Sequence, residues 1–475
     1  MFKYSVLAAA LAAAFSTPLA ATAATTNKDR ELAEIRAQIS QMKDAYEARL
    51  QALERRLEQA QTQAQAQTQT LAQVQAQTRA QAEVQAQTQT QPGASASSAA
   101  TAVTSTAPAA ASNIFNPNIS LILGGTLSNL SQDPNQYRLQ GFLPSGGEVG
   151  PGKRGFNLGE SELTMAANID PQFVGQLTFA LSGEDTVGVE EAFIQTRALS
   201  NGLNLKAGRF LSGVGYLNGQ HAHTWDFVDA PLAYQAFLGG QYKADGVQAR
   251  WLAPTDRFVE LGLEVASGGG FPGNERNRNG AGARSVFAHV GDDIGASSSY
   301  RAGLSYLRTG AEGRAVDDHY GFSGKSALWV ADATYKWAPN GNPTDTNFKL
   351  QGEYFRSKEN GSLAGAEESA AYRSRQSGWY LQSVYQFMPT WRAGLRYDRL
   401  ASGSRELGPE LALAGFPILD AYSPSRASLM FDYSPSEFSR LRLQLARDKS
   451  RPGVVDNQIY LQYIMSLGTH AAHAF

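Results

Sequence analysis

Polar and apolar residues alternate in short segments over most of the chain from residue 114 onward. Between Trp391 and Asp398, the odd-numbered positions carry Trp, Ala, Leu and Tyr, whereas the even-numbered positions carry Arg, Gly, Arg and Asp. Between Arg440 and Leu445, arginine and glutamine alternate with leucine in the same way. A period of two residues predicts β-strands with one apolar face and one polar face.

The connections between these segments alternate between long and short. Residues 388–390 form a very short connection, whereas residues 308–326, 356–378 and 400–426 are predicted to be long loops. A closed barrel pairs all of its backbone groups within lipid, so alternating strands can cross a membrane without a continuous apolar stretch. We therefore predict an all-β transmembrane barrel of about 16 antiparallel strands over residues 114–475, with long external loops and short periplasmic turns.

The two ends of the chain agree with export to an outer membrane. Residues 1–23 combine one lysine, a short apolar run and small residues at Ala21–Ala23, which is the pattern of a cleaved signal peptide. The last residue, Phe475, follows the alternating segment Ile459–Leu467, and a terminal aromatic residue is typical of outer-membrane barrels.

The region before the barrel is organised differently. Residues 28–60 carry apolar side chains at spacings of three and four, from Leu32 to Leu57, which predicts a periplasmic α-helical coiled coil. A single amphipathic helix is the alternative. Residues 61–113 are rich in Gln, Ala and Thr and then in Ala, Ser and Pro, and we interpret them as a linker.

Composition narrows the choice of function. The chain has no cysteine, which excludes a disulfide framework and a thiolate metal site. Its net charge of −2 does not favour binding to nucleic acid. No constellation of catalytic residues stands out, so we do not expect an enzyme.

The connection Leu211–Gln241 is too apolar and aromatic for a loop in water, and we expect it to fold into the lumen and constrict it. The alternative is a loop that packs on the barrel rim or on a neighbouring subunit.

Strand alternation places basic and acidic residues on the lumen wall, Glu162 and Glu191 among the acidic ones. The predicted pore-lining residues are arginines of the wall that face aspartates of the loop across the pore: Arg392, Arg396, Arg440, Arg442, Asp226 and Asp229. Such an arrangement would set up a transverse field.

Two pairs of histidines are candidates for binding metal. They are His221 with His223 in the predicted loop, and His470 with His473 near the end of the chain. Imidazole suits zinc, but histidines hydrogen-bonded within loops give the same spacing. One interpretation is therefore that His221 and His223 bind zinc. The other is that the protein has no cofactor.

Several stretches of the chain resemble a proteobacterial family of outer-membrane barrels related to the phosphate-selective porin O and P group. The resemblance covers roughly residues 119–475 and lies in Gly159–Thr164, Leu205–Phe210, His221–His223, Trp225–Pro231, Trp337–Pro343 and Leu461–Phe475. It implies an outer-membrane barrel that acts in transport. Some members of the family are called zinc-regulated TonB-dependent receptors. Such receptors have a globular plug and about 22 strands, and this sequence predicts neither feature.

We expect a porin-like channel in the outer membrane for passive uptake of small hydrophilic solutes, with anions or metal complexes as candidates. One alternative is a structural anchor that uses its coiled coil as a tether. The other is a zinc-related uptake receptor. The expected partners are outer-membrane lipid, the solutes, two further copies in a homotrimer, and a periplasmic or cell-wall partner of the helix. The N-terminal segment is expected in the periplasm.

Overall fold

The structure is a computed structural model. It describes residues 117–146, 149–159, 161–181, 186–197, 199–275 and 278–468, without the side chain at position 414. By its contacts, the chain divides into one unit of residues 1–106 and another of residues 107–475. The predicted signal peptide, coiled coil and linker lie outside the described residues, as do His470, His473 and Phe475.

The described part of the chain forms one antiparallel sheet of seventeen strand segments. They are β1 (Asn118–Leu130), β2 (Gly155–Leu158), β3 (Ser161–Asn168), β4 (Phe173–Leu181), β5 (Val187–Thr196), β6 (Leu203–Leu211), β7 (Lys243–Leu252), β8 (Phe258–Ala266), β9 (Ala283–Ile294), β10 (Ser298–Ala315), β11 (Gly321–Trp337), β12 (Asn347–Ala364), β13 (Ser369–Met388), β14 (Trp391–Leu407), β15 (Ser425–Ser436), β16 (Ser439–Lys449) and β17 (Asp456–Gly468).

The sheet closes into a barrel of sixteen strands. The segments β2 and β3 both pair with β1, so together they form one interrupted strand of the barrel. The first strand β1 also pairs with the last strand β17, for example Leu123 with Met465, and this pairing closes the sheet. A closed barrel leaves no unpaired sheet edge. The prediction of about 16 antiparallel strands is confirmed.

The outer surface carries an apolar band between two groups of aromatic residues. Its leucines are exposed, as at Leu395 (60%) and Leu381 (48%). At the end with the short turns, Trp391 packs against Tyr433, with 4.7 Å between ring centroids. Trp379 and Tyr397 form a second aromatic pair farther along the strands. An apolar band with aromatic girdles is the lipid-facing surface of an outer-membrane barrel.

Two predicted long loops are strands instead. Residues 308–326 and 356–378 mostly extend β10 to β13, and the remaining connections are the short turns 316–320 and 365–368. The sequence prediction failed here because these extensions are polar on both faces, as in Arg356–Asn360. A strand that projects beyond the membrane has water on its outer face, so apolar alternation stops although the hydrogen-bonded ladder continues.

Short helices occupy the connections. The one α-helix of the described residues, α1 (Leu232–Leu238), is buried over its whole length and ends at Gly239, whose φ of 65° is left-handed. The 3-10 turns are Pro134–Gln136, Ser200–Gly202, Ala222–Thr224, Pro339–Gly341, Leu413–Gly415 and Pro417–Leu419. Among the described residues, no helix is long and apolar enough to cross a membrane.

Candidate functional site

A long connection between β6 and β7 folds into the barrel lumen. We call residues 212–242, which include helix α1, the constriction loop. It contacts strands on several sides of the barrel, from Glu162 on β3 to Glu353 on β12 and Gln444 on β16. Only a segment inside the barrel can reach all these walls, so the prediction that this connection enters the lumen is confirmed.

Glu353 on β12 holds the start of the loop and the helix together. Its carboxylate accepts hydrogen bonds from the backbone amides of Tyr216 (3.1 Å) and Leu217 (3.0 Å). The hydroxyls of Tyr234 (2.9 Å) and Tyr380 (2.6 Å) donate to the same carboxylate. Four hydrogen bonds fill the acceptor sites of this carboxyl group, so this anchor fixes the start of the loop and the helix to the wall.

Two aspartates fasten the middle of the loop to a basic wall. Asp226 lies 2.5 Å from Lys349 and 3.4 Å from Arg392. Asp229 lies 2.8 Å from Arg396 and 2.5 Å from Arg426. Burial would raise the pKa of both carboxyls, but these cations outweigh it and hold both pKa values below their ordinary value of 3.8. Both aspartates therefore stay charged while the loop is docked against this wall.

This arrangement corrects the predicted transverse field. The prediction put Arg392 and Arg396 across an open pore from Asp226 and Asp229, but these groups are in direct contact. Paired charges at contact distance largely cancel each other's field in the lumen. The middle of the loop lies against the wall of β12–β16, where its buried charges have close partners.

The structure also divides the four predicted arginines into two groups. Arg396 and Arg442 are buried with only 1% of their side chains exposed, and Arg442 makes two hydrogen bonds to Asp432. These two stabilise the wall and do not line the lumen cavities described below. Arg392 and Arg440 do line a cavity, and Arg440 also donates to the backbone oxygen of His223.

On the opposite side, two histidines of the loop meet three glutamates of the wall. His221 places Nδ1 3.0 Å from Glu162 and 3.1 Å from Glu190, while its Nε2 is 3.1 Å from Glu191. His223 places Nδ1 2.9 Å from Glu162. Together these five residues form what we call the histidine–glutamate cluster. Burial alone would lower the pKa of His221, but its hydrogen bonds to the three glutamates raise it well above 6.5.

A bulge in the sheet brings two consecutive glutamates to this cluster. The register between β4 and β5 shifts between Thr178 and Phe179. Both Glu190 and Glu191 are consequently buried, at 2% and 5% exposure. Strict alternation placed Glu191 on the lumen wall and missed Glu190, because a bulge is not visible in the hydrophobic pattern.

Two polar cavities lie on either side of the cluster. One of about 780 Å³ is on the short-turn side and reaches Ile122, His221, His223 and Arg440. The other, of about 470 Å³, is on the long-loop side and reaches Thr126, Glu190 and Lys243. The two have no lining residue in common. The layer that separates them holds the histidine–glutamate cluster, because Glu162, His221 and His223 line the larger cavity and Glu190 lines the smaller one.

Comparisons with solved structures find outer-membrane proteins, three of which follow, each with a TM-score below 0.5. A loop-deletion mutant of OmpT, an outer membrane protein of Vibrio cholerae, is 13% identical and has a TM-score of 0.46, with 74% of this chain and 99% of that chain covered. The outer membrane channel DcaP of Acinetobacter baumannii is 11% identical with a TM-score of 0.45, covering 74% and 97%. An anion-selective porin from Comamonas acidovorans is 12% identical with a TM-score of 0.46, covering 74% and 99%. Such values carry no argument about function, and the barrel assignment rests on the strand pairing.

The sequence comparisons give a nearer relative. No family profile matches the chain, and the resemblance to the phosphate-selective porin O and P group stays a prediction. A protein of Aquifex aeolicus (strain VF5), described as uncharacterized, is 32% identical over 346 residues, which cover 68% of this chain and 71% of that protein. The chain therefore belongs to the same protein family as this Aquifex aeolicus protein.

Proposed function

We propose that this protein is an outer-membrane channel through which small hydrophilic solutes diffuse passively. The observation that carries the proposal is the pair of polar cavities in the lumen, about 780 Å³ and 470 Å³, on either side of the constriction loop. A barrel of about sixteen strands encloses an aqueous channel unless something fills it. Here the constriction loop occupies part of the lumen and leaves polar space on both its short-turn side and its long-loop side.

Charges of both signs surround the cavities. They favour the passage of small polar solutes in general over selection of a single type of ion. The larger cavity has Lys336, Lys349, Arg392 and Arg440 on one side and Glu162 on the other. Asp226 is paired with Lys349 and Arg392, which reduces the net basic charge of that side. We therefore propose weak selectivity, with anions and metal complexes as candidate solutes.

We also propose a homotrimer with an N-terminal segment in the periplasm. The support is the heptad spacing of residues 28–60, since a three-stranded coil would match a trimeric barrel in symmetry. The test is the mass of the detergent-solubilised protein compared with a variant that lacks residues 28–60. A monomer in both cases would overturn the proposal.

Single-channel recording on the purified full chain tests the channel directly. In planar bilayers, the proposal expects discrete, long-lived conductance steps and a reversal potential near zero in a salt gradient. The alternative function, a structural anchor with a tether, expects an inserted barrel that carries no current. Swelling of protein-containing liposomes in small sugars provides a second readout that does not depend on charge.

A further inference from the structure

The histidine–glutamate cluster differs from the other contacts of the constriction loop in its balance of charge. Elsewhere, each loop aspartate is held by two permanent cations, such as Arg396 and Arg426 at Asp229. At the cluster, three buried carboxylates converge, and the one lysine or arginine ion pair that the described residues make with them is Lys243 with Glu190 at 3.5 Å. Lys206 lies farther off, over the ring of Phe193. Buried carboxylates in excess of permanent cations are unfavourable unless another cation joins them.

The donor atoms are close enough to share one ion. One carboxylate oxygen of Glu162 and one ring nitrogen each of His221 and His223 all lie within 4.8 Å of one another. The ring centroids of the two histidines are 5.6 Å apart, so both rings border the same small space. Two imidazoles and one carboxylate form a ligand set used for first-row divalent metals, with coordination positions left open.

The surroundings of His221 match the outer partners of a metal site. Its Nδ1 faces Glu162 and Glu190, and its Nε2 contacts Glu191 at 3.1 Å. In metal sites, a ligating histidine commonly donates its second N–H to a carboxylate, which fixes the ring and its tautomer. Glu191 is itself held, because it accepts hydrogen bonds from the backbone amide of Leu211 and from Gln176.

We propose that the cluster binds one first-row divalent transition metal, such as Zn²⁺, through Glu162, His221 and His223. Glu190 lies beside these ligands as a further carboxylate, and Glu191 is a positioning residue that acts through His221. The site joins the constriction loop to strands β3 and β5 at the layer between the two cavities. A bound metal would thus both hold the loop and place a cation between the two cavities.

Metal binding to the purified full chain in detergent, without an added histidine tag, tests the proposal. Zn²⁺ titration by calorimetry is expected to give one site per barrel, and Co²⁺ is expected to give a visible absorption spectrum of nitrogen and oxygen ligands. The His221→Ala/His223→Ala variant is expected to lose the site. Glu191→Gln is expected to weaken binding by about 10- to 100-fold, as for other outer partners of metal ligands. Neither readout depends on conductance, so failure of the channel proposal would not mimic failure of this one.

The chain supplies a matched control in its second pair of histidines. The His470→Ala/His473→Ala variant removes the same number of imidazoles and is expected to keep the site. Glu162→Gln preserves the size of the side chain, so it decides the case if the double alanine variant fails to fold. The proposal is overturned if the wild-type protein binds no stoichiometric metal, or if folded Glu162→Gln binds as tightly as the wild type. It is also overturned if the site is lost with His470 and His473 instead.

Discussion

The hydroxyl of Tyr234 on helix α1 donates a hydrogen bond to the carboxylate of Glu353 on β12, with an oxygen–oxygen distance of 2.9 Å. Both residues are buried inside the barrel. The Tyr234 hydroxyl also accepts from the backbone amide of Asn218 at 3.0 Å. One side chain therefore connects the helix, the start of the constriction loop and the barrel wall.

Replacing Tyr234 by Phe should loosen the constriction loop. The variant leaves Asn218 N–H and one acceptor site of Glu353 without a partner, and an unsatisfied buried polar group costs about 1–3 kcal/mol. We expect noisier single-channel currents and a lower unfolding temperature. Tyr397→Phe is the matched control, because Tyr397 faces outward and is 40% exposed. Equal noise in the two variants would contradict the role of Tyr234.

The two groups of arginines should respond differently to charge reversal. Arg392→Glu/Arg440→Glu is expected to move the reversal potential toward cation preference, since both residues line the larger cavity. Arg399→Glu serves as the control, because Arg399 is exposed on β14 outside the cavities. A reversal potential equal to that of the wild type in the double variant would show that these two residues do not line the path.

Arg396→Glu/Arg442→Glu should instead destabilise the barrel. Both side chains are buried in ion pairs, and removal of one partner from a buried pair costs about 3–5 kcal/mol. The measurement is the yield of folded, heat-modifiable barrel on gel electrophoresis. Normal folding with a shifted reversal potential would contradict the assignment of these residues to the wall.

Acid should release the Asp226 and Asp229 contacts of the constriction loop only at low pH. The pKa values of Asp226 and Asp229 lie below 3.8 in the folded protein. A depressed pKa contributes stability that is present above the unfolded value of 3.8 and is lost as pH falls through the folded value. The noise that these two contacts suppress in the single-channel current should therefore stay suppressed between pH 7 and pH 5. The contacts should begin to open only below about pH 3.8. Asp226→Asn should already show the loosened state at pH 7.

The helix predicted for residues 28–60 should associate with copies of itself. The apolar positions from Leu32 to Leu57 form a heptad seam, although a peptide of residues 28–60 should be only marginally stable alone. Sedimentation should show a concentration-dependent helical oligomer, which Ile39→Asp/Leu53→Asp abolishes. A helical monomer at high concentration would favour docking on another periplasmic partner.

Local periodicity predicted the barrel well but predicted the site only in part. The alternation from Trp391 to Asp398 and the apolar character of the loop are local signals, and the structure confirms what they indicated. Which arginines meet which aspartates depends on contacts between residues more than 150 positions apart, as for Arg396 and Asp229. The approach of Glu190 to His221 depends on a bulge in β5. Such contacts follow from register and loop path, which no short-range pattern encodes.

The conductance of a loop-replacement variant tests the account most directly. Residues 218–229 would be replaced by a short Gly-Ser linker, and an equally conservative shortening of the exposed turn 365–368 would serve as the control. We expect the single-channel conductance to rise roughly twofold or more in the loop variant, because residues 218–229 occupy lumen space that a barrel of this size otherwise leaves open to water. The control should conduct like the wild type. A folded, inserted loop variant whose conductance equals that of the wild type would contradict the account.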